Sequence, residues 1–367
     1  MPKKVLFLTA KIIDSFEKDG IAKKIWSQKS AWEELGFGVD LFFRTSEGIR
    51  GNINEKPVAY NGFFIPRIFM LIWSLYTLRK QRYEILYLRN LYTEMNVVGL
   101  LFFLIFAKTI TKKIVLEIPT YPYFNEVKGF KCHVYLLIYK LLLPLIKIKT
   151  DLIVFMGRSR SEIWGVPALR LVNCVNLNNI TFIPFKKKST SEVIKFVGVA
   201  ALDYWHGYDR LIQGLAQDTD YSIEFHIVGK NEPELSRLKK IADDLNVLDR
   251  VIFHGELSTA EINKLFETMD VGVDSLGRHR SGLDYNCSIK SKEYTARNIP
   301  FIKSHDDDSF NHVDFVYTVS ANESLIDIGS VLDWFFKLEL KSECAIREHA
   351  IENFVWEKQF EKILNNL

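Results

Sequence analysis

Lys290 and Glu293 are the pair of residues in this sequence best suited to chemistry. They lie in a segment that reads as a short helix beginning near Ser288, and three-residue spacing puts both side chains on one face near its N-terminus. The helix N-terminus and Lys290 would attract phosphate, and the oxygens of Glu293 would accept hydrogen bonds from a ribose diol. The pair predicts a nucleoside diphosphate site; the alternative is a solvated charge pair on a helix surface.

The loop before this helix supplies two further candidates, His279 and Arg280. A guanidinium is always charged and can bind phosphate through two N–H groups, whereas histidine is only partly protonated at neutral pH. Arg280 is therefore the stronger candidate for the diphosphate and His279 the secondary one. The alternative for Arg280 is an exposed loop cation without a function.

The elements that must position these residues follow a repeated strand–helix pattern. Apolar, β-branched runs typical of parallel strands buried on both faces alternate with helical stretches. The predicted strands fall at residues 5–9, 39–43, 84–88, 113–118, 152–155, 193–199, 223–228, 251–253, 271–273 and 301–302. The least patterned stretch, 176–192, is predicted to link two doubly wound α/β domains, with a ligand cleft between the carboxyl edges of their sheets.

Composition is that of a soluble globular protein with two domains: 367 residues, 48% hydrophobic and 25% charged. The four scattered cysteines form no zinc-binding spacing and indicate a reducing cytosol. The N-terminus does not resemble a signal peptide. The longest apolar runs, 97–107 and 135–146, are too short or too interrupted to predict a transmembrane helix.

Charge is divided unevenly along the chain. Residues 1–185 contain 26 Lys and Arg against 14 Asp and Glu, a net charge of +12, and the remainder contains 22 against 31, a net charge of −9. In the first half the cations mingle with aromatic and aliphatic residues, which fits an anionic membrane surface. The alternative is a set of core helices with basic outer faces. No nucleic-acid partner is expected, because no reader motif accompanies the charge.

Five segments together resemble a known family. They are EIPTYPYFNE (117–126), SEIWGV (161–166), WHGYDRLI (205–212), HRSGL (279–283) and KSKEYTARNIPFI (290–302). With the two α/β domains, they resemble the retaining glycosyltransferases of the GT-B fold, and in particular the bacterial group that builds capsule, exopolysaccharide and O-antigen. The resemblance covers nearly the whole chain.

The resemblance implies a fold and a function. Residues 1–185 would form an acceptor-side Rossmann-like domain, and residues 186–353 would form the nucleotide-sugar-binding domain. A C-terminal helix at about 354–367 could pack back on the N-terminal domain. The enzyme would move a sugar with retention from a UDP- or GDP-linked donor to a lipid-linked or polysaccharide acceptor, peripheral on the cytoplasmic face of the plasma membrane. No cofactor or metal is expected. A non-catalytic homologue, acting as a partner subunit or glycan-binding module, is the alternative.

The resemblance also assigns residues in the second domain. In the family two glutamates eight residues apart flank the donor; the second matches Glu293, expected to hold the ribose, and the first falls on Tyr285. The family's diphosphate-binding lysine before Gly207 is replaced by His206. The resemblance therefore leaves Lys290 and Arg280 as the sources of positive charge.

In the first domain, Gly20 opens a helix after a polar loop, where a glycine would let backbone approach a ligand. The resemblance places residues 117–126 at the ligand cleft. The side chains expected to face donor or acceptor are Glu117, Thr120, Tyr121 and Glu126. The alternative for Tyr121 is that it covers the sheet edge. Residues 305–308, HDDD, are predicted to be an acidic surface turn rather than a metal site.

Overall fold

The structure is a computed structural model, and it describes residues 3–14, 20–61, 73–74, 76–89, 103–119, 121, 137, 140–141, 144, 147–217 and 221–367. The chain divides into two compact units. The first comprises Met1–Val172 with Trp356–Leu367, and the second comprises Asn173–Val355. Each unit is built around its own β-sheet.

The strands of the first unit are β1 Lys4–Ile12, β2 Gly38–Thr45, β3 Gly48–Ile53, β4 Lys56–Asn61, β5 Tyr83–Arg89, β6 Thr111–Ile118, β7 Leu152–Phe155, β8 Glu162–Ile163 and β9 Val166–Arg170. Those of the second are β10 Ile194–Val199, β11 Ile223–Val228, β12 Val251–Gly255, β13 Val271–Val273, β14 Phe301–Lys303 and β15 Val316–Thr318. The helices described over their full length are α1 Gly20–Glu34, α2 Tyr208–Leu215, α3 Glu234–Asp244, α4 Thr259–Phe266, α5 Ile289–Arg297, α6 Ile328–Lys337, α7 Ala345–Asn353 and α8 Trp356–Asn365. Within the described ranges no helix is long and apolar enough to cross a membrane.

The first sheet has the spatial order β4-β3-β2-β1-β5-β6-β7-β9-β8. β1 pairs in parallel with β2 and with β5, and the parallel pairing continues through β6, β7 and β9. The edge strands β3 and β4 are antiparallel additions to β2, and β8 is antiparallel to β9. The strand pattern of the sequence predicted only parallel strands, because the turns that join these edge strands were not recognised.

Helix α8, at the C-terminus of the chain, belongs to the first unit. It packs on α1, where the rings of Trp32 and Phe360 stack with centroids 4.3 Å apart. Both side chains are fully buried, so the contact adds aromatic stacking to the burial of two large apolar surfaces.

The second sheet is parallel throughout and has the order β12-β11-β10-β13-β14-β15. Strand order therefore reverses between β10 and β13, as in a doubly wound dinucleotide-binding fold. Ligands of such sheets bind beyond the carboxyl ends of the strands at this switch point. The loops that follow Val199 and Val273 are thus the topologically favoured place for a site.

Helices cover both faces of this sheet. Alternate residues of its strands, such as Phe196 and Phe225, share a buried core with Leu211 of α2, Leu238 of α3 and Leu332 of α6. On the opposite face α5 packs closely: a side-chain carbon at Gly272 would lie 2.7 Å from the ring of Tyr294. The fully buried strands explain the continuous apolar runs of the sequence.

The short helix α5 follows local sequence signals. Its N-cap is Ser288, as predicted, and the Ser288 hydroxyl accepts a hydrogen bond from the Lys290 N–H at 3.2 Å. It ends at Asn298, which adopts the left-handed conformation (φ 70°) common at helix C-termini. The chain then enters β14 through Pro300.

The boundary between the units lies after Val172 rather than after residue 185. Residues of the intervening stretch bond to elements of the second unit: Asn173 donates to the Cys287 carbonyl oxygen at 2.6 Å, and the Ile183 N–H donates to the Arg297 carbonyl oxygen at 3.0 Å. These non-local contacts, which irregular sequence does not reveal, explain the shift.

Candidate functional site

The loops after β10 and β13 meet at the switch point of the second sheet through two glycines. Gly207 has a left-handed backbone (φ 66°), and a side-chain carbon there would lie 2.4 Å from the Gly277 nitrogen. The neighbouring Leu276 N–H donates to the His206 carbonyl oxygen at 2.7 Å. Because only glycine lacks the side-chain carbon that would clash here, Gly207 allows the two loops to come into contact.

Asp274, directly after β13, is the buried centre of the polar side chains here. Its Oδ1 accepts hydrogen bonds from the Ser275 N–H at 2.7 Å and from the Ser288 hydroxyl at 2.9 Å. Its Oδ2 lies 3.7 Å from Nε2 of buried His305. Burial alone would raise the pKa of Asp274, but the Lys290 ammonium, followed by His305, outweighs burial and holds the pKa at about 2.

Lys290 reaches into this cluster from the first turn of α5. Its Nζ lies 3.5 Å from Oδ1 of Asp274 and donates to the Ser275 hydroxyl at 3.2 Å. The side chain is 13% exposed. Burial lowers the pKa of Lys290, and Asp274 opposes that shift. The ammonium is thus held by a carboxylate and a hydroxyl while part of the side chain faces solvent.

Trp205 brings a second cation to the same place. The guanidinium carbon of Arg278 lies 4.5 Å from the Trp205 ring centroid, and Nζ of Lys290 lies 5.6 Å from it. Both fall within the range of cation–π attraction. Arg278 and Lys290 are also close enough that the charge of Arg278 lowers the pKa of Lys290. Two cations therefore converge beside one half-buried indole.

His206 is buried beside this pair and does not contribute charge. Burial, and then the Lys290 ammonium, lower the pKa of His206 to about 3. Its Nδ1 accepts a hydrogen bond from the Asp203 N–H at 3.0 Å. The sequence interpretation treated His206 as partly protonated; in the structure it is a neutral group that fixes the loop before Gly207.

Glu293 and Tyr285, the two positions assigned from the resemblance, are both half-buried. Glu293 lies one helical turn after Lys290 on α5, and its charge raises the pKa of Lys290. Tyr285 forms an isolated parallel bridge with Asp306, so its loop is held by backbone bonds to the segment after β14. The ligand-binding roles assigned to both remain predictions.

Arg280 does not have the freedom that the phosphate role requires. Its guanidinium donates to Asp209 at 2.8 and 2.9 Å, to Glu323 at 2.7 and 3.0 Å, and to the Tyr204 carbonyl oxygen at 2.9 Å. These bonds use all five N–H groups, and the side chain is 4% exposed. His279 likewise bonds Glu323 through Nε2 at 2.6 Å. Both residues hold the loop in place through these contacts, and their assignment as diphosphate ligands remains a prediction.

The HDDD segment is not a surface turn throughout. Asp306 is exposed, but His305 and Asp307 are buried, and Asp307 forms an ion pair with the fully buried Lys292 of α5. The prediction failed because the buried cation that pairs with Asp307 lies on another element. Among the described residues no group of three or more His, Cys, Asp or Glu side chains is placed to hold a metal ion.

In the first unit, Glu117 is buried rather than facing a ligand. Its carboxylate lies 3.2 Å from NH1 of Arg89 and accepts hydrogen bonds from the Tyr87 hydroxyl at 2.8 Å and from Nε2 of Gln28 at 3.1 Å. The side chain is 1% exposed. This corrects the expectation that Glu117 faces donor or acceptor: its charge is satisfied inside the unit.

The other residues predicted to face a ligand in the first unit lie in different surroundings. Gly20 begins α1, as predicted. Tyr121 packs on Phe155 with ring centroids 5.8 Å apart, and the Arg160 guanidinium lies 5.4 Å from its ring centroid. Tyr121 is half-buried, and the ligand-facing role assigned to it remains a prediction. Thr120 and Glu126 lie outside the described residues.

The second unit also contains a cavity of about 360 Å³ that is remote from these side chains. Its lining includes Lys195, Asp270 and Pro300 at the amino ends of β10, β13 and β14, together with Phe185 and Phe335. It therefore lies at the opposite edge of the sheet from the switch point. The polar cluster, not this cavity, is the candidate site.

Part of the second unit matches a known protein family. Residues 179–275 match the family model described as Glycosyl transferases group 1. The match covers the first four strands of the second sheet and ends at Ser275. No curated protein sequence matches the chain.

Solved structures with the same fold span the whole chain. They include sucrose-phosphate synthase from Thermosynechococcus elongatus (TM-score 0.62, 14% identity, 99% of this chain and 98% of that one) and a glycosyltransferase from Rickettsia africae (0.63, 13%, 99% and 97%). Another is HepE from Anabaena in complex with UDP-glucose (0.61, 14%, 99% and 100%). The likeness confirms the predicted α/β fold of GT-B type.

Three residues of the site were missed by sequence reasoning: Trp205, Asp274 and Arg278. A signal for Asp274 existed, since it is a lone acid directly after a buried strand at the predicted edge of the sheet. Arg278 is adjacent to the two cations that were chosen, and only the structure shows which of the three reaches the Trp205 ring.

Proposed function

We propose that the protein is a glycosyltransferase that uses a nucleoside diphosphate sugar as donor. The observation that carries the proposal is the convergence of Lys290, Arg278 and the N-terminus of α5 at the switch point of the second sheet. Cations and free N–H groups at a helix N-terminus favour phosphate. The adjoining segment 179–275 carries the glycosyltransferase family match.

The chemistry requires stabilisation of the leaving diphosphate. As the bond between sugar and phosphate breaks, negative charge grows on the phosphate oxygens, and preorganised cations stabilise it most where solvent is limited. Lys290 would supply this through its ammonium and Arg278 through its guanidinium. Glu293 would hold the ribose hydroxyls, as its place on the same helix allows. No metal or cofactor takes part in this scheme.

The proposal also covers the donor nucleotide and the stereochemistry of transfer. The similar HepE was solved with UDP-glucose, which makes UDP-linked sugars the first donors to test, followed by GDP-linked ones. Transfer proceeds with retention, with the leaving phosphate helping to deprotonate the acceptor hydroxyl on the same face of the sugar. The protein contributes position and charge rather than a covalent intermediate.

The acceptor we propose is a lipid-linked or polysaccharide glycan of the cell surface. The net charge of +12 on residues 1–185 supports an acceptor presented at an anionic membrane. Exposed apolar side chains of the first unit, such as Trp26, Leu141 and Ile148, add to that surface. The enzyme then works at the cytoplasmic face of the plasma membrane.

The experiment compares Lys290→Ala with Lys240→Ala, which removes an exposed lysine from α3. Donor turnover is measured with a panel of UDP- and GDP-sugars, and nucleotide binding is measured by calorimetry. Lys290→Ala should lose about 100-fold in turnover, measured on protein whose melting curve shows that it is folded. Its melting temperature should fall, because buried Asp274 loses its main countercharge. Lys240→Ala should match wild type. Equal turnover in both variants would overturn the phosphate role of Lys290.

A non-catalytic binding module is the second candidate, favoured by Tyr285 where the resemblance expects a glutamate. Such a protein binds a nucleotide or glycan without converting any donor. Tyr285→Glu separates the two. Turnover in the wild-type protein contradicts the module, whereas binding without turnover in both proteins contradicts the enzyme.

A further inference from the structure

Asp274 contacts both Lys290 and the N-cap of α5 without being exposed itself. One carboxylate oxygen bonds the N-cap hydroxyl of Ser288 at 2.9 Å and lies 3.5 Å from Nζ of Lys290. The same oxygen accepts the Ser275 N–H at 2.7 Å. Because the carboxylate is fully buried, ligand contact falls to its neighbours. A single buried anion thus fixes both the ammonium and the start of α5.

The second oxygen of Asp274 faces His305. Oδ2 of Asp274 and Nε2 of His305 lie 3.7 Å apart, both are buried, and neither atom has a hydrogen-bond partner among the described residues. His305 Nδ1 lies 3.4 Å from the Ser275 carbonyl oxygen. The imidazole therefore closes the far side of the carboxylate, and hydrogen bonding is concentrated on the oxygen that faces Lys290.

Other charges around Lys290 do not replace Asp274. The groups facing Lys290 besides Asp274 are Arg278, Glu293 and His206. Among the described residues, those facing Asp274 besides Lys290 are His206, His305, Lys292, Lys303, Tyr208 and Tyr294. Arg278 repels the ammonium, and His206 is neutral. Asp274 is the larger of the two favourable charges, ahead of Glu293.

We propose that Asp274 is a positioning residue that orients Lys290 and keeps it protonated for binding the donor diphosphate, an inference that rests on the proposed function. Asp274 also fixes the N-cap of α5, so the ammonium and the helix N-terminus present their donors in one geometry. Replacing the carboxylate by an amide leaves the hydrogen bonds and removes the charge. The ammonium would then lose its proton at a lower pH.

The test measures the ionisation of Lys290 directly. The pH dependence of its reaction with acetic anhydride is followed by mass spectrometry in the wild type, in Asp274→Asn and in Ser275→Ala. Asp274→Asn should move the midpoint to lower pH by about 1–3 units, as expected for loss of an opposite charge at this distance. Ser275→Ala, which removes a neutral partner of the same ammonium, should leave the midpoint near wild type.

Binding of UDP, GDP and ADP is measured by calorimetry between pH 6 and 10 on the same proteins. The alkaline loss of binding should shift by the same amount in Asp274→Asn, which a merely structural residue would not cause. Melting curves identify any variant that fails to fold. Asp274→Glu, which keeps the negative charge, is measured as well and should have the wild-type midpoint for Lys290 acetylation. An unshifted midpoint in a folded variant overturns the positioning role. If the wild type binds none of the three nucleotides, the proposed function fails, and the positioning role fails with it even where labelling shows the shift.

Discussion

At the carboxyl edge of each sheet a buried acid lies beside a base, but the two pairs differ in how far the base is exposed to solvent. In the first unit Arg89 and Glu117 pair at 3.2 Å with side-chain exposures of 5% and 1%, and hydroxyl and amide donors bond Oε2 of the acid. In the second unit Asp274 is fully buried while Lys290 is 13% exposed. The first pair is closed, and the second is open on its cationic side.

This difference separates a structural charge from a binding charge. A buried pair whose members satisfy each other holds a fold together and has little left to offer a ligand. Lys290 is held at 3.5 Å from Asp274 with Arg278 sharing the same indole, so positive charge remains at the surface of the switch point. A buried acid–base pair thus has a different role in each unit, because the helix termini and loops that position the two pairs expose the cation to different extents.

The largest effect we expect comes from breaking the closed pair. Arg89→Ala leaves the Glu117 carboxylate buried without its countercharge, and should lower the free energy of unfolding by about 3–5 kcal/mol in urea titrations. Arg82→Ala, at an exposed position, should change it by less than about 0.5 kcal/mol. If Glu117→Gln left stability intact but reduced donor turnover, Glu117 would be a ligand residue and the comparison would be wrong.

A smaller effect is expected where the open site is assembled. Gly207→Ala combines a left-handed backbone with a carbon placed 2.4 Å from the Gly277 nitrogen, so the two loops must separate. We expect a loss of about 2–4 kcal/mol in unfolding free energy and weaker nucleotide binding. Gly282→Ala is the matched control, because its φ of 69° is similar but the added side-chain carbon would have no atom of the other described residues within 4 Å, apart from its chain neighbours. Its cost should be only about 1–2 kcal/mol, and an equal loss in both variants would argue against the loop contact.

The third effect concerns acid, and it is the smallest of the three when expressed per pH unit. The pKa of His206 is about 3 in the folded protein against 6.5 ordinarily, so between these values the unfolded chain binds a proton that the folded chain does not. Stability should therefore fall as the pH drops from 6.5 towards 3, by at most about 1.4 kcal/mol per pH unit from this group. His206→Asn should flatten the slope measured by urea unfolding over that window. The exposed His312→Asn should keep it, and identical slopes in the two variants would contradict the buried neutral state.

Local signals in the sequence predicted the elements that carry the site. Ser288 as N-cap, the shared face of Lys290 and Glu293, and the strand led by Pro300 all depend on neighbours within a few residues. The strand pattern predicted the sheet edge as well, since buried parallel strands read as continuous apolar runs.

Pairings across the chain could not be predicted in this way. Arg280 was chosen as a phosphate ligand for its charge, but Asp209 and Glu323, which neutralise it, lie 71 and 43 residues away. Glu117 is enclosed by side chains from β5 and α1 in the same manner. Whether a charge is free or satisfied depends on these non-local partners, and a single sequence does not reveal them.

A crystal structure of the complex with UDP or GDP would show whether Lys290 and α5 form the nucleotide site. We expect a pyrophosphate bound at the N-terminus of α5, with an oxygen within hydrogen-bonding distance of Nζ of Lys290 and the ribose hydroxyls at the carboxylate of Glu293. A nucleotide bound elsewhere in the protein, with Lys290 still held only by Asp274 and Ser275, would contradict it.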